Sequence, residues 1–154
     1  MAKITKVSED CISLIKKYEG FRSKPYLCPA HIPTIGYGNT FYENGKKVTL
    51  VDTEITMERA VQLLKFTLKT FEQYVDSYCR DDISQHQFDA LTSFCYNLGP
   101  QNLKTSTLLK KVNTNPLDAS IAAEFAKWNK SNNKILKGLT LRRKSESDLY
   151  FSNE

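Results

Sequence analysis

Between residues 8 and 19 the apolar positions Cys11, Leu14, Ile15 and Tyr18 fall at spacings of three and four, with charged residues between them, which predicts an amphipathic helix. Ser8 can cap it, Glu9 and Asp10 occupy its first turn, and Gly20 supplies the stop. The stretch "TIGYGNTFYENGKKVTLV" then offers two β-prone runs around Asn44-Gly45, a strong turn signal, and predicts a small glycine-rich antiparallel sheet. Helical spacing returns from Thr56 to about Cys79, where Ala60, Val61, Leu64, Leu68, Phe71, Val75 and Tyr78 mark the longest element, about six turns. Ser84 and Gln87 match a capping box. Phe88, Leu91, Cys95 and Leu98 line one face of the helix behind it, and Gly99-Pro100 ends it.

Shorter helices are predicted over residues 107–112, 117–128 and 139–151, separated by "NTNP" and "NKSNNK", neither long enough to divide domains. The pattern is therefore α+β and mostly helical, in a single domain. A β lobe spans about 20–55, a long connecting helix about 56–79, and a helical lobe about 80–154 together with the N-terminal helix.

Composition narrows the class. At 154 residues and 40% hydrophobic, one domain can bury roughly two thirds of its unfolded surface without disulfides. The 22 Lys+Arg against 17 Asp+Glu give +5, which suits an anionic partner such as a cell wall, a lipid surface or nucleic acid. The basic residues are dispersed and form no recognised nucleic-acid motif, so no nucleic acid is expected. No apolar run reaches a membrane span, and the start lacks a secretory signal, so neither a membrane anchor nor export is expected. Cys11, Cys28, Cys79 and Cys95 contain no CxxC pair; free thiols in a reducing cytoplasm are expected, with no metal and no cofactor.

Glu19 carries the first chemical signal. In the last turn of a helix the macrodipole disfavours a negative charge and holds the proton on a carboxyl, which a general acid needs and a stabilising residue does not. The plain alternative is a solvated glutamate at a helix end.

"YEG" followed by "PY", then "PTIGYGNT", resembles the active-site region of the phage-type lysozymes, the endolysins of glycoside hydrolase family 24. "FDALTSFCYNLG", "STLLKKVN" and "GLTLRRKSESDLY" resemble that family's later segments in order and spacing, so the likeness covers most of residues 8–150. It implies a lysozyme-like fold and a muramidase that hydrolyses the β-1,4 bond between N-acetylmuramic acid and N-acetylglucosamine in bacterial peptidoglycan. It also implies a monomer held in the host cytoplasm until a membrane-permeabilising holin gives it access to the wall.

The family pattern is a glutamate, eight residues, an aspartate, five residues, then a threonine, which falls on Glu19, Cys28 and Thr34. Cysteine therefore stands where most members carry the aspartate. A thiolate can supply the negative charge that an oxocarbenium-like state requires, either activating water with inversion or attacking carbon with retention. An ordinary thiol is only slightly ionised at neutral pH, so Cys28 needs local help, for which His31 and Lys24 are near in sequence. The alternative is a cysteine that fills apolar space. By resemblance Thr34 holds the attacking water, and Arg142, with Arg143 as second choice, lies beside the glutamate.

For substrate contact, Tyr96 and Asn97 resemble a family position, and Ser106, Trp128 and Asn129 are further candidates. Large aromatics are more often core. Two other functions compete: a peptidoglycan-binding module whose turnover was lost with the aspartate, and a thiol hydrolase built on Cys28 and His31.

Overall fold

The computed structural model describes residues 3–153. In chain order its elements are α1 (Glu9–Glu19), β1 (Arg22–Leu27), β2 (Pro33–Gly36), α2 (Met57–Tyr78), α3 (Gln85–Leu98), α4 (Pro100–Thr105), α5 (Thr107–Thr114), α6 (Ile121–Ala126), β3 (Lys130–Ser131), β4 (Lys134–Ile135) and α7 (Lys137–Tyr150). The chain divides into a smaller compact unit, Ile15–Thr70, and a larger one made of the residues before and after it. α1 starts in the larger unit and ends in the smaller, whereas α2 does the reverse.

In the smaller unit β1 and β2 pair antiparallel, with Tyr26 opposite Thr34, Leu27 opposite Pro33, and an irregularity between Arg22 and Tyr26. The sheet differs from the expected one. Around Asn44-Gly45 the chain makes a turn closed by Gly45 N–H to the Tyr42 carbonyl at 3.0 Å and a single bridge between Phe41 and Lys47. The ladder does not extend because Asp52 accepts from the Thr49 amide at 2.9 Å and the Thr49 hydroxyl at 2.6 Å, turning the chain away. Ile35, Val48 and Leu63 form the unit's core, with Tyr42 and Ile55 packed against it. Gly36 brings the sheet within van der Waals reach of α2 at Ala60, and Asn39 Nδ2 donates to Thr67 Oγ1 of that helix at 2.8 Å.

In the larger unit α3 is the central element. Its capping box is formed, Ser84 accepting from the Gln87 amide and Gln87 reaching back to the Ser84 amide. Residues 87–95 are all buried, so the helix is enclosed on every side rather than on the one face its apolar residues mark. The polar residues among them find distant partners. Asp89 accepts from the Ser8 amide at 2.9 Å and from the Ser8 hydroxyl, which ties down the start of α1. Ser93 donates to Glu146 Oε2 at 2.6 Å, and Glu146 pairs with Arg142 and Arg143 along α7. Phe94 meets Phe125 and Trp128 edge-on with centroids 5.9 and 5.6 Å away.

Gly99 ends α3 as expected, but a further short helix, α4, starts at once with Pro100 in its first turn, where a missing N–H costs nothing. The helix expected over 117–128 is shorter, since Asp118 holds the Ser120 amide at 2.9 Å in a turn ahead of α6. The "NKSNNK" linker is itself a hairpin, β3 with β4, whose turn residues Asn132 and Asn133 adopt φ of 52° and 64°. Among the described residues no helix is long and apolar enough to cross a membrane.

Candidate active site

Glu19 is the last residue of α1 and is half-buried. Gly20 follows it with φ of 72° and returns its N–H to the Lys16 carbonyl at 3.0 Å, so the helix stops there and the chain can enter β1. The smaller unit thus carries Glu19, the hairpin that bears Cys28, and Thr34.

Cys28 is the first residue past β1. Its N–H donates to the Ile32 carbonyl at 3.1 Å, and the His31 N–H donates to the Cys28 carbonyl at 2.8 Å, which closes the reversal into β2. The side chain is half-buried, unlike those of Cys11, Cys79 and Cys95, which are buried and whose thiols burial pushes up. The Cys28 thiol goes the other way. Hydrogen bonds from the Ile32 amide first, then from the Ala30 amide and the Thr34 hydroxyl, hold it below the ordinary thiol value against partial desolvation. These groups, rather than the His31 or Lys24 side chains suggested by sequence proximity, act most strongly on the sulfur. The imidazole of His31 is exposed and its backbone is left-handed, φ 61°.

Thr34 is 3% exposed, and its hydroxyl also lies 2.8 Å from the Ile32 carbonyl. A hydroxyl has one proton and two lone pairs, so Thr34 can donate to carbonyl or sulfur and still accept from a water. Cross-strand partners share a face, as do residues two apart on a strand. Tyr26 is opposite Thr34 and two before Cys28, which puts its ring on the same side of the hairpin.

Tyr26 and Arg22 are two further residues beside Cys28 and Thr34 that sequence reasoning did not single out. The Arg22 guanidinium sits 4.2 Å from the Tyr26 ring centroid. The phenol is pushed up by burial first, with Arg22 opposing and the charges of Glu19 and Cys28 both adding to the rise. Acid and thiol therefore act on one phenol. The available signal was the alternation of 26 and 28 on one strand, usable only once the hairpin is placed at 28–32.

The remaining candidates lie in the larger unit. Arg142 is buried; its Nε is 3.4 Å from Glu146 Oε2 and its Nη2 3.4 Å from the Ser93 carbonyl, so it is not on a solvated basic face. Arg143 is buried as well and donates to Asn97 Oδ1 at 2.8 Å, which fixes Asn97 at the end of α3. Tyr96 packs edge-on against Phe71 at 5.2 Å. Ser106 is buried and caps α5, accepting from the Leu109 amide at 3.0 Å and donating to the Leu103 carbonyl at 2.7 Å. These bonds give Ser106 a capping role at the start of α5. Trp128 packs on the core beside Phe94. Asn129 joins α7 through its side-chain donation to Thr140 Oγ1 at 3.2 Å and accepts from the Leu136 amide at 3.0 Å, work that fastens the β3–β4 hairpin. Among the described residues no group of three or more His, Cys, Asp or Glu side chains is placed to hold a metal ion.

Known proteins share this architecture. A family model described as phage lysozyme matches residues 16–146. The endolysin of Bacillus phage B103 is 40% identical over 153 residues; the match covers 96% of this chain and 55% of that protein, so the chain spans little more than half of its relative's length. Among solved structures, the endolysin from Escherichia coli O157:H7 phage FAHEc1 has a TM-score of 0.85 at 33% identity, covering 95% of this chain and 93% of its own. The muramidase domain of SpmX from Asticaccaulis excentricus has a TM-score of 0.83 at 32% identity, covering 96% and 99%. The mostly helical fold with its small two-stranded sheets is lysozyme-like.

Proposed function

This chain belongs to the phage lysozyme family, and from that premise we propose that it is an endolysin, a muramidase that cleaves the β-1,4 bond between N-acetylmuramic acid and N-acetylglucosamine and so lyses the host wall. Glu19 protonates the leaving glycosidic oxygen as the bond breaks. The Cys28 thiolate supplies negative charge on the other face of the ring, and Thr34 holds the attacking water by its hydroxyl.

The observation that supports this reading most directly is the set of donors around one sulfur. The amides of Ile32 and Ala30 and the hydroxyl of Thr34 favour the anionic form of Cys28, so the residue standing in the aspartate's place is biased toward the charge an aspartate would carry. A cysteine that only filled apolar space would have its thiol pushed up, as Cys95 does, to about 12.

The test is release of reducing sugar ends from purified peptidoglycan by the parent, Glu19→Gln and Cys28→Ser. Activity in the parent and loss in both variants supports the assignment. Full activity in Cys28→Ser would remove the thiol from the reaction. Saturable wall binding with no new ends from the parent would make the chain a binding module. Product stereochemistry then assigns the thiolate, with retention pointing to a glycosyl–sulfur intermediate and inversion to an activated water.

We also propose that the protein acts as a monomer, stays in the host cytoplasm until release, and reaches peptidoglycan through a holin. Full-length protein outside intact cells lacking a holin would overturn the last point.

A further inference from the structure

The reversal between β1 and β2 contains no glycine, yet it requires a left-handed residue, and His31 supplies it with φ of 61°. Residues with a Cβ rarely adopt that conformation, and a β-branched one is a genuine outlier there. The exposed ring of His31 is not among the groups that act most strongly on the thiol. What the conformation does is turn neighbouring backbone N–H groups toward one side, the arrangement by which short loops make anion-holding concavities. The side they face holds the sulfur of Cys28, which receives the amides of Ile32 and Ala30. Two further bonds fix the geometry, Cys28 N–H to the Ile32 carbonyl at 3.1 Å and His31 N–H to the Cys28 carbonyl at 2.8 Å.

We propose that His31 is a positioning residue whose left-handed backbone, not its imidazole, aims the Ile32 and Ala30 amides at the Cys28 sulfur. This rests on the assignment of Cys28 to glycoside cleavage, and it explains how a cysteine can stand in the aspartate's place with backbone donors directed at it. The other groups facing this sulfur are Thr34 from β2 and Tyr26 from β1; Glu19 and Arg22 act on the same Tyr26.

Substitution at His31 separates backbone from ring. Glycine and asparagine accept a positive φ without an imidazole, whereas alanine resists it and valine resists it most. The readout is the rate of Cys28 alkylation by iodoacetamide across the pH range, with adducts counted by mass on the full chain. Cys11, Cys79 and Cys95 are buried, so a folded sample gives one adduct and an unfolded one gives more, which checks folding in the same tube.

The expected result is that His31→Gly and His31→Asn keep the parent profile, while His31→Val, and His31→Ala to a lesser degree, move it to higher pH. Each pH unit of that movement lowers the neutral-pH rate about tenfold. If His31→Val gives several adducts, His31→Ala carries the comparison. A shift in His31→Gly as large as in His31→Ala would give the role to the imidazole and overturn the proposal, as would an unmoved profile in singly alkylated His31→Ala. Alkylation does not depend on sugar cleavage, so a parent that releases no reducing ends yet shows the expected series would reject the muramidase reading and leave the role of His31 standing.

Discussion

The guanidinium of Arg22 lies 4.2 Å from the centre of the Tyr26 ring, two residues ahead of Cys28 and across the sheet from Thr34. Burial first, with Glu19 and Cys28 adding to it, raises the phenol above its ordinary value, and Arg22 pulls the other way without reversing the rise. The sign is clear: a raised phenol stays protonated through neutral pH, so Tyr26 presents an O–H donor beside Glu19 and Cys28. A phenol that donates to a charged group in the course of the reaction contributes about 1.5 kcal/mol, roughly a tenfold change in rate. Tyr26→Phe should therefore slow release of reducing ends about tenfold, while its unfolding free energy stays within about 1 kcal/mol of the parent. An unchanged rate would take Tyr26 out of the site.

Gly36 tests how closely the sheet must approach α2. A Cβ there would sit 3.3 Å from the Cβ of Ala60, and the residue holds φ of 68°. The left-handed conformation alone costs about 1–2 kcal/mol for a residue with a Cβ, and the contact adds to it. Urea unfolding of Gly36→Ala should show a loss of about 2 kcal/mol or more. A loss below about 0.5 kcal/mol would mean that the backbone moves freely away from the helix.

Local rules made part of this fold legible and hid the rest. Ser84 with Gln87 and Gly99 before Pro100 marked their helix ends because the bonds that fix them are local. The hairpin at 28–32 was hidden because its left-handed residue is a histidine, whereas Asn44-Gly45 advertises a turn that Asp52 prevents from growing into a ladder. α3 looked one-sided because Asp89, Thr92 and Ser93 are polar; Asp89 and Ser93 are buried against Ser8 and Glu146, far away in sequence. The proposed Glu19, Cys28 and Thr34 set comes from family spacing alone. The donors on Cys28 are mostly backbone groups, which no residue type announces.

Glu146 is fully buried and is shared by Arg142 at 3.4 Å, Arg143 at 2.7 Å and the Ser93 hydroxyl at 2.6 Å. Removing the acidic member of a buried charge cluster leaves cationic partners without their counter-charge, typically at about 3–5 kcal/mol. Glu146→Gln keeps the shape and removes the charge. It should lower the urea midpoint by the equivalent of that loss or prevent accumulation of folded protein. A change under about 1 kcal/mol would show that the two guanidiniums find compensation elsewhere.

Arg59 holds Glu43 with two N–H donors at 2.6 and 2.7 Å, which brings the carboxyl down to about 2 from an ordinary 4.5. A depressed carboxyl contributes stability that is fully present above its unfolded value and is lost as pH falls through the folded value. The window therefore runs from about 4.5 down to about 2. Both side chains are about one third exposed, so solvent screening reduces the contribution to about 1 kcal/mol, despite the two-pronged geometry. Urea unfolding of the parent and of Glu43→Gln should differ by about that amount near neutral pH and converge as acid protonates Glu43 in the parent. Other carboxylates titrate in the same range, so the quantity that matters is the difference between the two curves. Parallel curves across the window would mean that the Arg59 contact contributes nothing to folding.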